Sequence, residues 1–142
     1  MSANKIQIGG DHYKTDYEPW DLIIKWEIPF LEGSAIKYLT RWKDKGGLED
    51  LKKVEHYYIK LIEAISLGYN VPDDAPDAGD LDRYMKANKL DSFQCDQVEI
   101  FATWNRREEL EQGLYDLREY IHQREFEQSL GDPFLDVEGA PV

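Results

Sequence analysis

Between positions 48 and 65, Leu48, Leu51, Val54, Tyr58, Leu61, Ile62 and Ile65 recur at spacings of three and four. An α-helix turns once every 3.6 residues, so this spacing gathers apolar side chains on one face, which must then be buried against something. Gly68 follows the last of them, where a helix end accepts a left-handed residue. Upstream, Gly46-Gly47 interrupts the pattern. Before it, Ala35, Leu39 and Trp42 share one face of an earlier helix, with Ser34 as its expected cap. Residues 33–58 therefore predict a helix, a tight turn and a second helix.

The remaining chain extends this into an all-α fold. Pro19 marks the start of a first helix, since its missing N–H costs nothing there, and Pro29 its end. Leu22, Ile23 and Trp26 give that helix its apolar face. Lys5-Ile6-Gln7-Ile8 alternates like a short strand within a turn-rich opening. Residues 70–80, NVPDDAPDAGD, read as a solvated linker, with aspartates that serve solubility. Gln97–Trp104 alternates enough to fit a strand, but a self-comparison favours helix. At an offset of 62, Ile28 falls on Leu90, Leu31 on Phe93, Ile36 on Val98, Leu39 on Phe101 and Trp42 on Trp104. With three residues removed from the turn, Leu51 falls on Leu110, Tyr58 on Leu117 and Ile62 on Ile121. This pattern predicts a degenerate second copy of the hairpin. Asn105 and Glu108 are the expected capping box of its last helix, which Gly131 and Pro133 stop. The expected organisation is a helical bundle of two hairpins with an irregular N-terminal segment: a first domain over 1–69, a linker over 70–80, a second hairpin over 81–130 packed on the first, and a flexible tail over 131–142.

Charge sharpens the picture. The chain carries a net −12, which repels a phosphate backbone and argues against non-specific nucleic-acid binding. Residues 33–60 depart from that average, with seven Lys or Arg against four acids. Residues 61–142 hold seven against nineteen. Cys95 is the only cysteine, so no internal disulfide forms. No apolar run approaches the roughly 20 residues that span a bilayer, and the opening MSANKIQIGGDHYK lacks the apolar core of a signal peptide. The expected setting is the cytoplasm, away from membranes. Four Trp and nine Tyr in a small helical chain point to apolar surface left over for homo-oligomer formation.

The basic set supplies the candidate chemistry. Lys37 and Arg41 lie one turn apart, Lys43 and Lys45 fall in the turn, and Lys52 and Lys53 open the next helix. Arg offers a planar fork and Lys a point charge, so together they suit phosphate. The start of that helix adds free N–H groups and a positive dipole end. The same residues also fit a solvated face with local partners such as Lys45 with Glu49. Asp50 fits a helix-start cap, a partner for Lys53, or a group that orients a lysine or a ligand hydroxyl. His12 follows Gly9-Gly10 in a polar loop, and Tyr13 fits either base stacking or a core position. Three histidines and one cysteine at these spacings form no zinc site, so no metal ligands are expected. GGDHYKT at 9–15 lacks the second glycine of a Walker A loop. Glu108 and Glu111 form half of the paired carboxylate motif of magnesium-dependent pyrophosphohydrolases, and a helix-start role suits them better. In the presumed twin hairpin, Glu99, Thr103 and Gln112 stand where Lys37, Arg41 and Lys53 stand in the first, so a shared fold does not require those charges.

GGDHYK at 9–14, PWDLI at 19–23 and GSAIKYLTRWKDKGGLEDLKKVEHYY at 33–58 resemble a small phage-borne family of unknown function, which includes the nucleotide kinase of T-odd coliphages that lacks a P-loop. The family pattern falls on His12, Tyr13, Gly33, Lys37, Tyr38, Arg41, Lys45, Asp50, Leu51 and Lys53. Ser34 replaces its usual Asn, and Val54 its usual Ala. The resemblance implies a nucleotide as ligand, with ATP or another nucleoside triphosphate as phosphate donor to a (deoxy)nucleoside monophosphate. Lys37, Arg41, Lys45 and Lys53 would clamp phosphates, Lys43 and Tyr13 would line the site, and His12 or Asp50 would act catalytically by orienting the acceptor. Magnesium dependence is expected to be weak or absent. The competing expectation is a non-catalytic phage module that binds a host protein or sequesters a nucleotide.

Overall fold

A computed structural model describes residues 15–131. The strand expected at 5–8, the candidates His12 and Tyr13, and the tail beyond 131 lie outside the described residues. Within them the chain forms α1 (Pro19–Trp26), α2 (Phe30–Arg41), α3 (Leu48–Ser66), α4 (Ala78–Ala87), α5 (Ser92–Thr103) and α6 (Arg107–Gly131). The class is all-α, as expected. The strand alternative for Gln97–Trp104 gives way to α5 because Val98, Phe101 and Ala102 enter the core at helical spacing.

α2 packs on α3 and on α5, α3 on α6, α5 on α6, and α1 on the outside of α2. One apolar core runs through them, with Leu22, Ile36, Leu39, Leu51, Leu61, Leu110 and Leu117 fully buried. Gly33 belongs to this packing: a Cβ there would come within 3.1 Å of Ile23 Cδ1, so its absence lets α1 lie close to α2. Gly113 works the same way between α6 and its neighbours. A Cβ at that position would lie 2.4 Å from Tyr58 Oη and 2.9 Å from Ile100 Cδ1. Tyr58 Oη donates to Gln97 Oε1 at 2.7 Å, and Gln97 Nε2 donates to the Gly113 carbonyl at 3.1 Å. Gly113→Ala is therefore expected to lower stability by about 2 kcal/mol despite alanine's better helix propensity, because the added methyl breaks a buried network. A lower urea midpoint at unchanged slope is the readout.

Several local expectations are corrected. Ser34 does not cap α2; Pro29 occupies the N-cap, its carbonyl accepts from Gly33 N–H at 2.8 Å, and the helix begins at Phe30. A proline has no N–H to lose and its fixed φ suits a helix entry. α1 ends earlier, at Glu27, in a left-handed conformation with φ 51°. The capping glutamate of α6 is Glu109, whose Oε1 accepts from the N–H groups of Asn105 and Arg106. The linker is shorter than 70–80, since Asp77 caps α4 through Asp80 N–H at 2.7 Å. Asp80 itself is buried and far from a solubilising role.

α2 and α5 begin 62 residues apart, at Phe30 and Ser92, and α3 and α6 begin 59 apart, at Leu48 and Arg107. One hydrogen bond recurs at that second offset. Asp50 accepts from Gly46 N–H at 3.2 Å, and Glu109 accepts from Asn105 N–H at 2.8 Å. Another contact does not recur. Trp104 Nε1 donates to Glu32 at 2.9 Å, whereas Gln94, which the first offset aligns with Glu32, bonds through its amide to Leu39 O and Asp91 N–H. Trp42 Nε1 is buried without a hydrogen-bond partner among the described residues.

Candidate anion-binding site

The α2–α3 hairpin gathers three of its cations around one aromatic ring. Helical spacing places Lys37 and Arg41 one turn apart on α2 with Tyr38 between them, and α3 brings Lys53 to the same ring. The Arg41 guanidinium carbon lies 4.8 Å from the Tyr38 ring centre, Lys53 Nζ 4.9 Å and Lys37 Nζ 5.7 Å. Such distances give cation–π attraction. Tyr57 stacks on Tyr38 at 6.1 Å with 25° between the planes. Lys37 and Lys53 are exposed and Tyr38 is half-buried.

Beneath the cations sits Asp50, 1% exposed. Arg41 reaches it as a fork, with Nε donating to Oδ2 at 3.0 Å and Nη2 to Oδ1 at 3.3 Å. Lys53 Nζ lies 3.5 Å from Oδ1. The carboxylate also takes Gly46 N–H, which ties the basic turn back to α3. The sequence left three roles open for Asp50. The geometry gives it the ion pair and a bond back to the Gly46 N–H in the turn, not the cap, since the N-cap of α3 is Gly47 and takes no side-chain bond; it also buries the carboxylate beneath the surface a ligand would touch. The turn depends on glycine at both positions. Gly47 has φ +62°, and a Cβ on Gly46 would fall 2.2 Å from the Asp50 carboxyl carbon.

Not every expected cation joins this group. Lys43 pairs with Asp91 at the start of α5, and Lys52 pairs with Glu125 on α6 at 2.8 Å. Lys45 stands exposed in the turn. Tyr57 was missed, and Tyr38, though it matches the family pattern, was given no role. Their signal was present, since Tyr38 lies one residue after Lys37 and three before Arg41, but an aromatic at helical spacing reads first as core. No group of three or more His, Cys, Asp or Glu fit for a metal occurs among the described residues, and none of their helices is long and apolar enough to cross a membrane.

Two further carboxylates are buried away from the cations. Glu32 accepts from Tyr69 Oη at 3.1 Å and from Trp104 Nε1 at 2.9 Å. Burial, with the adjacent Glu32 charge, pushes the Tyr69 phenol up to about 12. Asp80 accepts from Tyr17 Oη and Trp26 Nε1, both at 2.5 Å, and pairs with Lys25 at 3.1 Å and Arg83 at 2.9 Å. Both serve the fold, linking segments distant in sequence.

A two-hairpin helical bundle with a cationic aromatic cluster on one hairpin is the class that fold and site define. Residues 9–60 match the model of a family described only as a protein of unknown function, DUF3310. That span covers α1, α2 and most of α3, and so contains the whole cluster. No curated protein and no solved structure matches the chain.

Proposed function

We propose that the hairpin face around Tyr38 binds the phosphate of a nucleotide. We also propose that the chain is a phage-encoded nucleotide-binding protein whose reaction, carried over from the sequence resemblance, is phosphoryl transfer from a nucleoside triphosphate to a (deoxy)nucleoside monophosphate. The observation that supports binding is the local charge. Lys37, Arg41 and Lys53 surround one ring over a single buried carboxylate, Asp50. These four groups carry a formal surplus of two positive charges in a chain of net −12. Like charges held this close repel, and an anion of matching charge relieves that repulsion. A terminal phosphate carries about −1.5 to −2 at neutral pH. Phosphoryl transfer needs placement and charge stabilisation more than covalent chemistry, so a cationic clamp is a suitable scaffold for it.

Equilibrium dialysis of the full chain against nucleoside mono-, di- and triphosphates tests the reading. Binding that weakens as salt rises is expected. Lys37→Ala and Lys53→Ala should each weaken it by about tenfold, the worth of one charge-assisted contact. Both side chains are exposed, so folding should be unaffected. Unchanged affinity in the two variants would remove the site from consideration. An assay with ATP and a panel of monophosphates then separates kinase from binder. The second reading, a module that sequesters a nucleotide or docks on a host protein, is favoured by the commitment of Asp50 to Arg41 and Gly46, which leaves that carboxylate unavailable to an acceptor hydroxyl. Retained binding without transfer would select it.

A further inference from the structure

The end of the molecule opposite the basic turn carries its most exposed apolar side chains. Leu67 is 81% exposed, Phe30 77% and Ile24 74%. Their proximity follows from the fold. α2 and α3 form a tight hairpin, so the start of one meets the end of the other, and Tyr69 Oη on Glu32 fixes that junction. Ile28 N–H on the Ile23 carbonyl at 3.0 Å folds the end of α1 back beside the entry to Phe30. Val71, 40% exposed, continues the surface beyond Leu67.

We infer that this apolar end is where a second copy of the chain docks, face to face about a two-fold axis. Charge is the first argument. A chain of net −12 repels its own copy over most of its surface, yet residues 28–31 (IPFL) and 64–72 (AISLGYNVP) contain no charged side chain. Self-repulsion is lower there, and the charges at its rim, Lys25 and Glu27 beside Ile24 and Arg107 on Ser66, are of both signs. Area is the second. Side chains of this size and exposure offer on the order of 500 Å² per copy, the upper range of apolar patches on monomers. Two copies then bury about 1,000 Å², the low end of specific interfaces. The dimer is therefore a weak, concentration-dependent one. It leaves the Tyr38 cluster, at the other end of the hairpin, open to solvent, so it stands independently of the anion site.

Sedimentation velocity of the full chain over a range of concentrations is the test. The wild type should shift from monomer to dimer as concentration rises. Leu67→Lys and Ile24→Lys place a cation at or near the C-terminal end of α3 and of α1, where the helix dipole favours it, so both variants should fold normally by circular dichroism. Each dimer would bury two such lysines, and its dissociation constant should rise by about a hundredfold. Phe126→Lys alters an equally visible apolar residue on α6, 56% exposed, and should leave association unchanged. A monomer at every concentration would assign the face to some other occupant and overturn the inference. So would a dimer that Phe126→Lys disrupts and Leu67→Lys does not.

Discussion

Replacing Asp80 with alanine is expected to cost the fold about 3 to 4 kcal/mol, read as a large drop in urea midpoint or melting temperature. Asp80 is 8% exposed and belongs to α4, but its partners come from elsewhere in the chain: Tyr17 before α1, Lys25 and Trp26 within it, and Arg83 one turn on. Removing the carboxylate leaves the Tyr17 hydroxyl and the Trp26 indole N–H without an acceptor inside the protein, at about 1–3 kcal/mol each. Lys25 and Arg83 are at least half exposed and rehydrate, so they add little. The edge-on contact of Tyr17 with Tyr84, at 5.3 Å, would loosen with it. Neighbouring contacts made by the same segment, Thr15 Oγ1 to the Ala87 carbonyl and Asn88 Nδ2 to the Tyr17 carbonyl, should then exchange faster with solvent.

The same residue sets an acid dependence. Burial alone would raise the Asp80 carboxyl, but hydrogen bonds from Tyr17, Trp26, Lys25 and Arg83 outweigh it and hold the group well below the usual carboxylate range. A carboxylate depressed on folding stabilises the native state in full above its unfolded value, about 3.9. That contribution falls away as pH drops from there through the folded value. Wild type should therefore lose stability below about pH 4 more steeply than Asp80→Ala, which has already lost the contribution. Parallel acid limbs for the two proteins would contradict this account.

Asp50→Ala is expected to cost about 3 kcal/mol, nearly as much, for a different reason. Here the lost group is at once the counter-ion of Arg41 and the acceptor that holds the Gly46 N–H of the turn. Arg41, 23% exposed at its side chain, would be left partly buried without its fork partner. Gly46→Ala should produce a milder version of the same defect with the carboxylate still present, because its methyl would need the space the Asp50 carboxyl occupies. Thermal melts of the two variants beside wild type check the ordering: wild type highest, Gly46→Ala between, Asp50→Ala lowest.

Much of this architecture was legible in the chain. The three-and-four spacing of α3 placed a helix where one occurs, because apolar periodicity reports burial and burial is what forms it. The helix boundaries were less legible. Pro29 reads as a stop, yet it serves equally as an entry, and only packing of Leu22 and Ile36 on a shared core decides that α2 starts beside it. Asp80 was hidden for a related reason. In a run of aspartates and prolines, composition says solvent, and nothing local reveals that Tyr17 and Trp26, more than fifty residues upstream, converge on one of those carboxyls. At the candidate site the cations were visible as a count. Their sorting was not: Lys43 and Lys52 turn to acids on α5 and α6, while Lys37, Arg41 and Lys53 meet at Tyr38.

The indole of Trp42, without a hydrogen-bond partner among the described residues, carries a further meaning. Its counterpart, Trp104, locks the far end of the bundle by binding Glu32, while Trp42 closes the near end with shape alone, edge-on to Tyr120 at 6.0 Å. A buried donor without an acceptor withholds about 1–3 kcal/mol from the structure around it. That deficit falls where α2 hands over to the basic turn. At Trp42 the end of the bundle beside the basic turn is thus held by packing rather than by a hydrogen bond from the indole.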